Sequence, residues 1–365
     1  MKNRIGALDG IKGIAALLIA CVYHLATVPF PYASGLPLEK VKIFNWIYRF
    51  GYIFVEVFLF VSGYTAFYHY TEKIEHGLGI WDFLKRRIQR IFPVMWITLV
   101  SAVVGEIIYF SNHEQTFWWG GGNNTILTLF LNVFGLQAIF NVGQSWNYPG
   151  WSLSIFFLCW LIYWCIITIA KESRRKKILG CLIMIMVGII IQISYPNIAI
   201  PGFTYSAARG YISFFGGGLF LLINEALSFE TKKISVFISI TWLVFVGILC
   251  KVGISLEPFS TTMALAIIPM VMVVLLNSTI MKKILEFKLF LFWGKISFSL
   301  YLCNYSIEIF TAMINEVLDL NINFSGVSFF VGNILIQILI SSIVYYFFEV
   351  RIMECIKKRD KKCTL

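Results

Sequence analysis

The chain has 365 residues, 59% of them apolar, 17% aromatic and only 13% charged, with a formal net charge of +11. A mean hydropathy of +0.79 excludes a water-soluble globular domain and indicates a polytopic membrane protein. In a soluble chain that charge would call for a polyanionic partner. Here Lys and Arg serve first as an orientation signal, and no nucleic-acid partner is expected.

A hydrocarbon core about 30 Å thick takes roughly 20 apolar residues per helix. Windows of that kind fall at 8–28, 44–69, 91–111, 150–170, 178–195, 207–226, 234–252, 261–277, 288–312 and 327–349. They predict an all-α bundle of about ten transmembrane helices. The stretch TILTLFLNVFGLQAIF at 125–140 is shorter and follows GGGNNT, so it reads as an interfacial or re-entrant helix.

With the N-terminus inside, the cytosolic pieces are MKNR, the loop of Lys85, Arg86, Arg87 and Arg90, KESRRKK at 171–177, Lys232 with Lys233, Lys282 with Lys283, and the tail KKRDKK. The other side keeps Lys40, Lys42, Arg49, Arg209 and Lys251. Both termini are therefore expected in the cytosol, and the protein in a cell (plasma or inner) membrane. Residues 1–350 read as one transmembrane domain and 351–365 as a basic tail. The start of the chain lacks a small-residue cleavage site and is expected to be retained. Eight cysteines lie mostly in apolar runs without CxxC spacing, which points to neither a disulfide framework nor a metal site.

The first span, LDGIKGIAALLIACVYH, carries three ionisable groups. On a helical wheel Asp9, Gly13, Ala16, Ala20 and His24 share one face, with Lys12 beside it. Small residues there let a second helix approach closely, and the ionisable groups face protein or a cavity. At about 1.5 Å per residue, His24 stands roughly 24 Å above the cytosolic start of the helix. Glu56 in the second span lies about 21 Å above its cytosolic end. In the ninth span Ser297, Tyr301, Asn304 and Glu308 share a face, with Asn304 about 24 Å from the cytosol. An imidazole and a carboxylate at one depth form a general-base arrangement, with Glu56 or Glu106 as the carboxylate.

Two further segments stand out. FLKRRIQRIFP at 83–93 sets Arg87 and Arg90 three apart on a helix, two guanidinium forks suited to phosphates, although an orientation signal would also explain them. On the far side, Trp118, Trp119, Trp146 and Trp151 fit either an interfacial belt or a stacking platform for a sugar. Ser152 and Ser154 lie beside the last of them, and Arg209 opens the sixth span.

Taken in order, LDGIKGIAALLIACVYH, VEVFLFVSGY, FLKRRIQRIFP, WSLS, RGYISFFGGGLF, GKISFSLYL and YYFFEV resemble the acyltransferase-3 family of bacterial membrane O-acyltransferases, over nearly the whole chain. The resemblance implies an acyl-CoA co-substrate, usually acetyl-CoA, on the cytosolic side, with no permanently bound cofactor. It implies a glycan or lipid-linked sugar as acceptor and polysaccharide synthesis machinery as a partner. His24 becomes the catalytic histidine and Arg87 and Arg90 the pair near the CoA phosphates, with Asp9 and Lys12 shaping the donor entrance. The acceptor side falls to Trp151, Ser152 and Arg209, and Tyr301 or Asn304, beside Ser297, to donation toward the oxyanion.

The chain departs from the family pattern at Lys12, where an arginine is frequent, after WSLS, where a glutamate is frequent, and at Asn304, where a histidine is frequent. Asn304 hydrogen-bonds but is no base near neutral pH. The expected reaction is transfer of an acyl group to a glycan hydroxyl. The rival reading is a transporter or lipid-linked glycan flippase that relays protons through the same buried groups.

Overall fold

The computed structural model describes residues 5–27, 35–117, 123–142, 145–194, 200–251 and 267–362, in which all regular structure is helical. In chain order, α1 (Gly6–Cys21) runs into a 3₁₀ turn at Tyr23–Ala26, and α2 (Lys42–Phe50) meets α3 (Ile53–Glu75) at a bend of 66°. Then come α4 (Ile80–His113), α5 (Ile126–Val133), a 3₁₀ turn at Tyr148–Gly150, α6 (Trp151–Ala170), α7 (Arg174–Ser194), α8 (Tyr205–Asn224) and α9 (Phe229–Lys251). α10 (Ile268–Asn277) and α11 (Thr279–Leu285) meet at 93°, and α12 (Lys288–Val317) follows. α13 (Val327–Val344) passes through a π-helical segment, Tyr345–Val350, into α14 (Arg351–Lys362), so the basic tail begins as a helix.

Among the described residues six helices are long and apolar enough to cross a membrane, or eight with each bent pair taken as one span. α12 has the length, at 30 residues. Its Lys295, Asn304 and serines keep it outside that group. α5, with eight residues, is about 12 Å long and cannot cross. The protein is therefore a polytopic helical membrane protein. Its chain divides into two compact units, one of Met1–Ala15, Ile53–Ile80 and Ile155–Gly294, the other of Ala16–Tyr52, Trp81–Ser154 and Lys295–Leu365.

The first unit is built on small residues, because helices in lipid gain attraction from close backbone approach. A Cβ at Gly63 would meet the Phe214 carbonyl, and one at Gly217 the Phe60 carbonyl, so the glycines of FFGGGLF exist to let α3 and α8 touch. Glu56 meets Arg209 and Gly63 meets Phe214, in rising order on both helices, so α3 and α8 run parallel. Arg174 reaches the Leu222 carbonyl whereas Gly188 lies against Ala208, so α7 and α8 run antiparallel. Midway along α1, Gly13 abuts Gly294 and the Phe290 carbonyl, as the stripe of small residues predicted.

In the second unit α4 and α12 run parallel. Ser306 donates to the Thr98 carbonyl at 3.3 Å, Gly105 lies against Ile309, and His113 pairs with Glu316 at 3.1 Å. The polar segment between α5 and α6 is tied down by side chains. Asn132 donates to Ser145 at 2.8 Å, Asn147 to Thr98 at 3.1 Å, and Ser154 to Gln137 at 3.0 Å.

Candidate functional site

α1 ends at Cys21, and the chain tightens into the 3₁₀ turn that carries His24, whose side chain is buried. The helical wheel that assigned His24 its face therefore stops three residues short, and a tighter turn sets its direction. An α-helix leaves its last carbonyls without partners. One of them, Ala20, accepts a hydrogen bond of 2.8 Å from Asn304 Nδ2.

The same nitrogen donates to Glu308 Oε1 at 2.8 Å. Both amide hydrogens are thus used, which fixes the orientation of the amide and turns its oxygen toward the ring. Asn304 Oδ1 and His24 Nδ1 are in hydrogen-bond contact. An amide oxygen only accepts, so Nδ1 is the nitrogen that carries the hydrogen. In the neutral ring the lone pair then sits on Nε2. Asn304 and Glu308 are themselves buried, at 1% exposure each.

Three tyrosines stand around the imidazole. Tyr148 crosses it edge-on with centroids 5.5 Å apart, Tyr23 lies at 5.7 Å and Tyr301 at 6.4 Å. Glu106 accepts from the Tyr305 hydroxyl, and from the Phe117 amide at 3.2 Å.

Sequence reasoning sought a carboxylate for His24 in Glu56 or Glu106. The structure puts Asn304 on Nδ1 and Glu308 behind it, while Glu106 serves Tyr305. In the first unit, Glu56 spends both oxygens on Arg209, at 2.5 Å to Nε and 3.1 Å to Nη2. The signal for Glu308 was its i, i+4 spacing from Asn304. Nothing in the sequence singled out Tyr148, which the 3₁₀ turn ahead of α6 delivers. Asn304, expected to donate toward an oxyanion, has no amide hydrogen left for that task.

On α4, Arg90 reaches Glu349 Oε1 through Nε at 3.4 Å and Nη2 at 3.2 Å, and keeps 57% of its side chain exposed. Glu349 is buried and also accepts from Ser299 at 3.3 Å. Arg87 donates to the Phe83 carbonyl at 3.0 Å and lies over that ring at 3.8 Å. The two forks are thus on one helix, with separate partners.

Asp9 and Lys12 form an ion pair of 3.0 Å in the first unit. Trp151 and Ser152 are both buried, and the Ser152 hydroxyl donates to the Pro149 carbonyl at 3.3 Å. Trp146 donates through its indole to the Thr125 carbonyl at 3.0 Å. Trp118 and Trp119 of the expected platform lie outside the described residues.

A buried histidine with a fixed tautomer, walled by tyrosines, is an arrangement for moving a proton or an acyl group. The acyltransferase-3 family model, described as an acyltransferase domain, matches residues 5–346. A relative from Acidianus two-tailed virus, named "Putative acetyltransferase ORF330", is 23% identical over 329 residues, which is 89% of this chain and 89% of the relative. No solved structure matches. The chain therefore belongs to the acyltransferase-3 family and is a membrane acyltransferase.

Proposed function

We propose that the protein is a multi-pass O-acyltransferase of the cell (plasma or inner) membrane, which moves an acyl group, most simply acetyl, from cytosolic acyl-CoA to a hydroxyl of a cell-surface or exported glycan. Ten spans with both ends in the cytosol fit the helix directions. The parallel pairs α3 with α8 and α4 with α12 are the second with the sixth and the third with the ninth span, and the antiparallel pair α7 with α8 is the fifth with the sixth. Arg90 then sits toward the cytosolic side, where its exposed guanidinium suits a CoA phosphate.

The observation that carries this reading is the amide clamp on His24. With Nδ1–H held by Asn304, Nε2 takes the proton of the glycan hydroxyl as its oxygen attacks the thioester carbonyl. The tetrahedral intermediate collapses, the carbon–sulfur bond breaks, and the proton passes from Nε2 to the departing CoA thiolate. The imidazolium formed in between is stabilised by the Asn304 oxygen, which Glu308 helps to hold in place. Tyr301 is the side chain suited to donate to the oxyanion, and Arg87, Lys12 and Asp9 belong to the donor side.

The test is transfer of labelled acetyl from acetyl-CoA to glycan in membranes that contain this protein alone. His24→Ala should abolish transfer with the protein still in the membrane, and near-normal transfer by that variant would reject the reading.

A further inference from the structure

The last span carries a polar stripe that the site above does not use. Asn333, Gln337 and Ser341 stand four residues apart on α13, so successive side chains turn by only about 40° and occupy one face. They are 4%, 0% and 0% exposed. Asn333 Nδ2, Gln337 Nε2 and Oε1, and Ser341 Oγ have no hydrogen-bond partner, and they account for four of the eight such atoms among the described side chains. Buried polar groups are normally paired, because an unpaired one costs free energy that an apolar side chain at the same place would not. Three in a row on one membrane helix are a poor packing solution, and they are suited to a ligand rich in donors and acceptors.

Their level can be read from the contact between the two last long helices. α12 and α13 are joined by the short segment 318–326 and so run antiparallel. Ser299 of α12 donates to Glu349 at 3.3 Å. The π turn takes more residues than an α turn, which brings Glu349 back toward the face of Ser341, where an α-helix would carry it about 80° round. From the Ser299–Glu349 level Asn304 is five residues along α12, about 8 Å, whereas Ser341, Gln337 and Asn333 are about 12, 18 and 24 Å along α13. The stripe therefore begins beyond the level of His24 and leads away from Arg90.

We propose that Asn333, Gln337 and Ser341 form the acceptor track, hydrogen-bonding the hydroxyls of a polyhydroxylated chain whose reactive hydroxyl lies at His24. This rests on the acyltransferase reading of His24. Amide and hydroxyl groups about 6 Å apart along the helix supply both donors and acceptors, as repeated sugar hydroxyls require. An acyl chain would gain nothing from them, and their level excludes the donor's nucleotide end.

The experiment uses the full-length protein in membranes with labelled acetyl-CoA and, as acceptor, the glycan fraction of the source membranes. Gln337→Met and Ser341→Ala should each lower kcat/KM for that glycan by about tenfold or more, since a site built to bind hydroxyls loses most when its own polar groups are removed. KM for acetyl-CoA should stay the same, and the thermal midpoint in detergent should hold or rise, because unpaired polar atoms have been removed. Unchanged glycan kinetics, a loss confined to KM for acetyl-CoA, or a fall in the midpoint of both variants would overturn the track and leave the stripe to packing or to the donor. If the unaltered protein transfers no acetyl to the glycan, the reading of His24 falls first and the track with it.

Discussion

Asn304 holds His24 by Nδ1, and it does so with an amide whose nitrogen is already committed to the Ala20 carbonyl and to Glu308. The residue thus joins three structural facts. It caps the unwinding end of α1, it links the buried Glu308 to the ring, and it selects which imidazole nitrogen is the base.

Removing the clamp should be costly for the chemistry and nearly silent for binding. Asn304→Leu should lower kcat by about 10²- to 10⁴-fold, the range of a lost general base, because the ring is free to take the other tautomer. KM for acetyl-CoA should change little. Asn304→Asp still accepts from Nδ1–H but faces Glu308 with a second carboxylate and strands the Ala20 carbonyl, so its kcat should lie between. Steady-state kinetics of the three proteins check the order.

Arg90 and Glu349 invite a test that separates fold from donor binding. Arg90 is half exposed, so solvent screens its side of the pair, whereas Glu349 is buried. Arg90→Gln should raise KM for acetyl-CoA several-fold with kcat retained, the pattern of lost uniform binding. Glu349→Gln added to it removes the buried charge left without its partner, and should recover any fall in thermal midpoint but not KM. Recovery of both would mean that Arg90 acts through the fold alone.

Much of this was legible from residue patterns because a bilayer imposes strong constraints. The ten apolar windows all overlap helices or bent helix pairs, and Gly13 was placed correctly at a close helix contact because only small residues permit one. The place of His24 at the far end of the first apolar window was readable, but its hydrogen-bond partner was not. The wheel assumed a continuous α-helix to residue 24, whereas α1 stops at Cys21. Depth alone also could not say which carboxylate serves which base. Residue spacing alone made Glu56 a candidate, yet the guanidinium that takes up both its oxygens comes from α8, about 150 residues away, and nothing local encodes that choice. Tyr148 was hidden in a loop whose shape is set by distant side chains such as Thr98 and Gln137.

Glu56 and Arg209 should behave as a buried ion pair of the first unit. Their side chains are 1% and 13% exposed, and the geometry is bidentate. Glu56→Met alone takes the carboxylate away from a buried guanidinium and should destabilise by about 3–5 kcal/mol, seen as loss of monodisperse protein in detergent. Adding Arg209→Met should restore most of that stability, since apolar replacement of a whole buried pair is close to neutral. Acetyl transfer by the restored double variant then reports directly on chemistry. Activity near that of the unaltered protein would make the pair structural, and an inactive but stable protein would place it in the reaction.

The glycine contact between α3 and α8 gives the sharpest stability prediction. A methyl at Gly217 would enter the space of the Phe60 carbonyl and one at Gly63 that of the Phe214 carbonyl, and a backbone carbonyl cannot swing aside as a side chain can. Gly217→Ala and Gly63→Ala should therefore each cost about 1–3 kcal/mol or more through overpacking, against a gain in helix propensity of about 1 kcal/mol. Gly332→Ala on α13 is the control, because nothing lies within 4 Å of its added methyl, and it should be neutral or slightly stabilising. Thermal midpoints of the three variants in one detergent decide the matter. Equal midpoints for Gly217→Ala and Gly332→Ala would mean that α3 and α8 do not meet as closely as the structure places them.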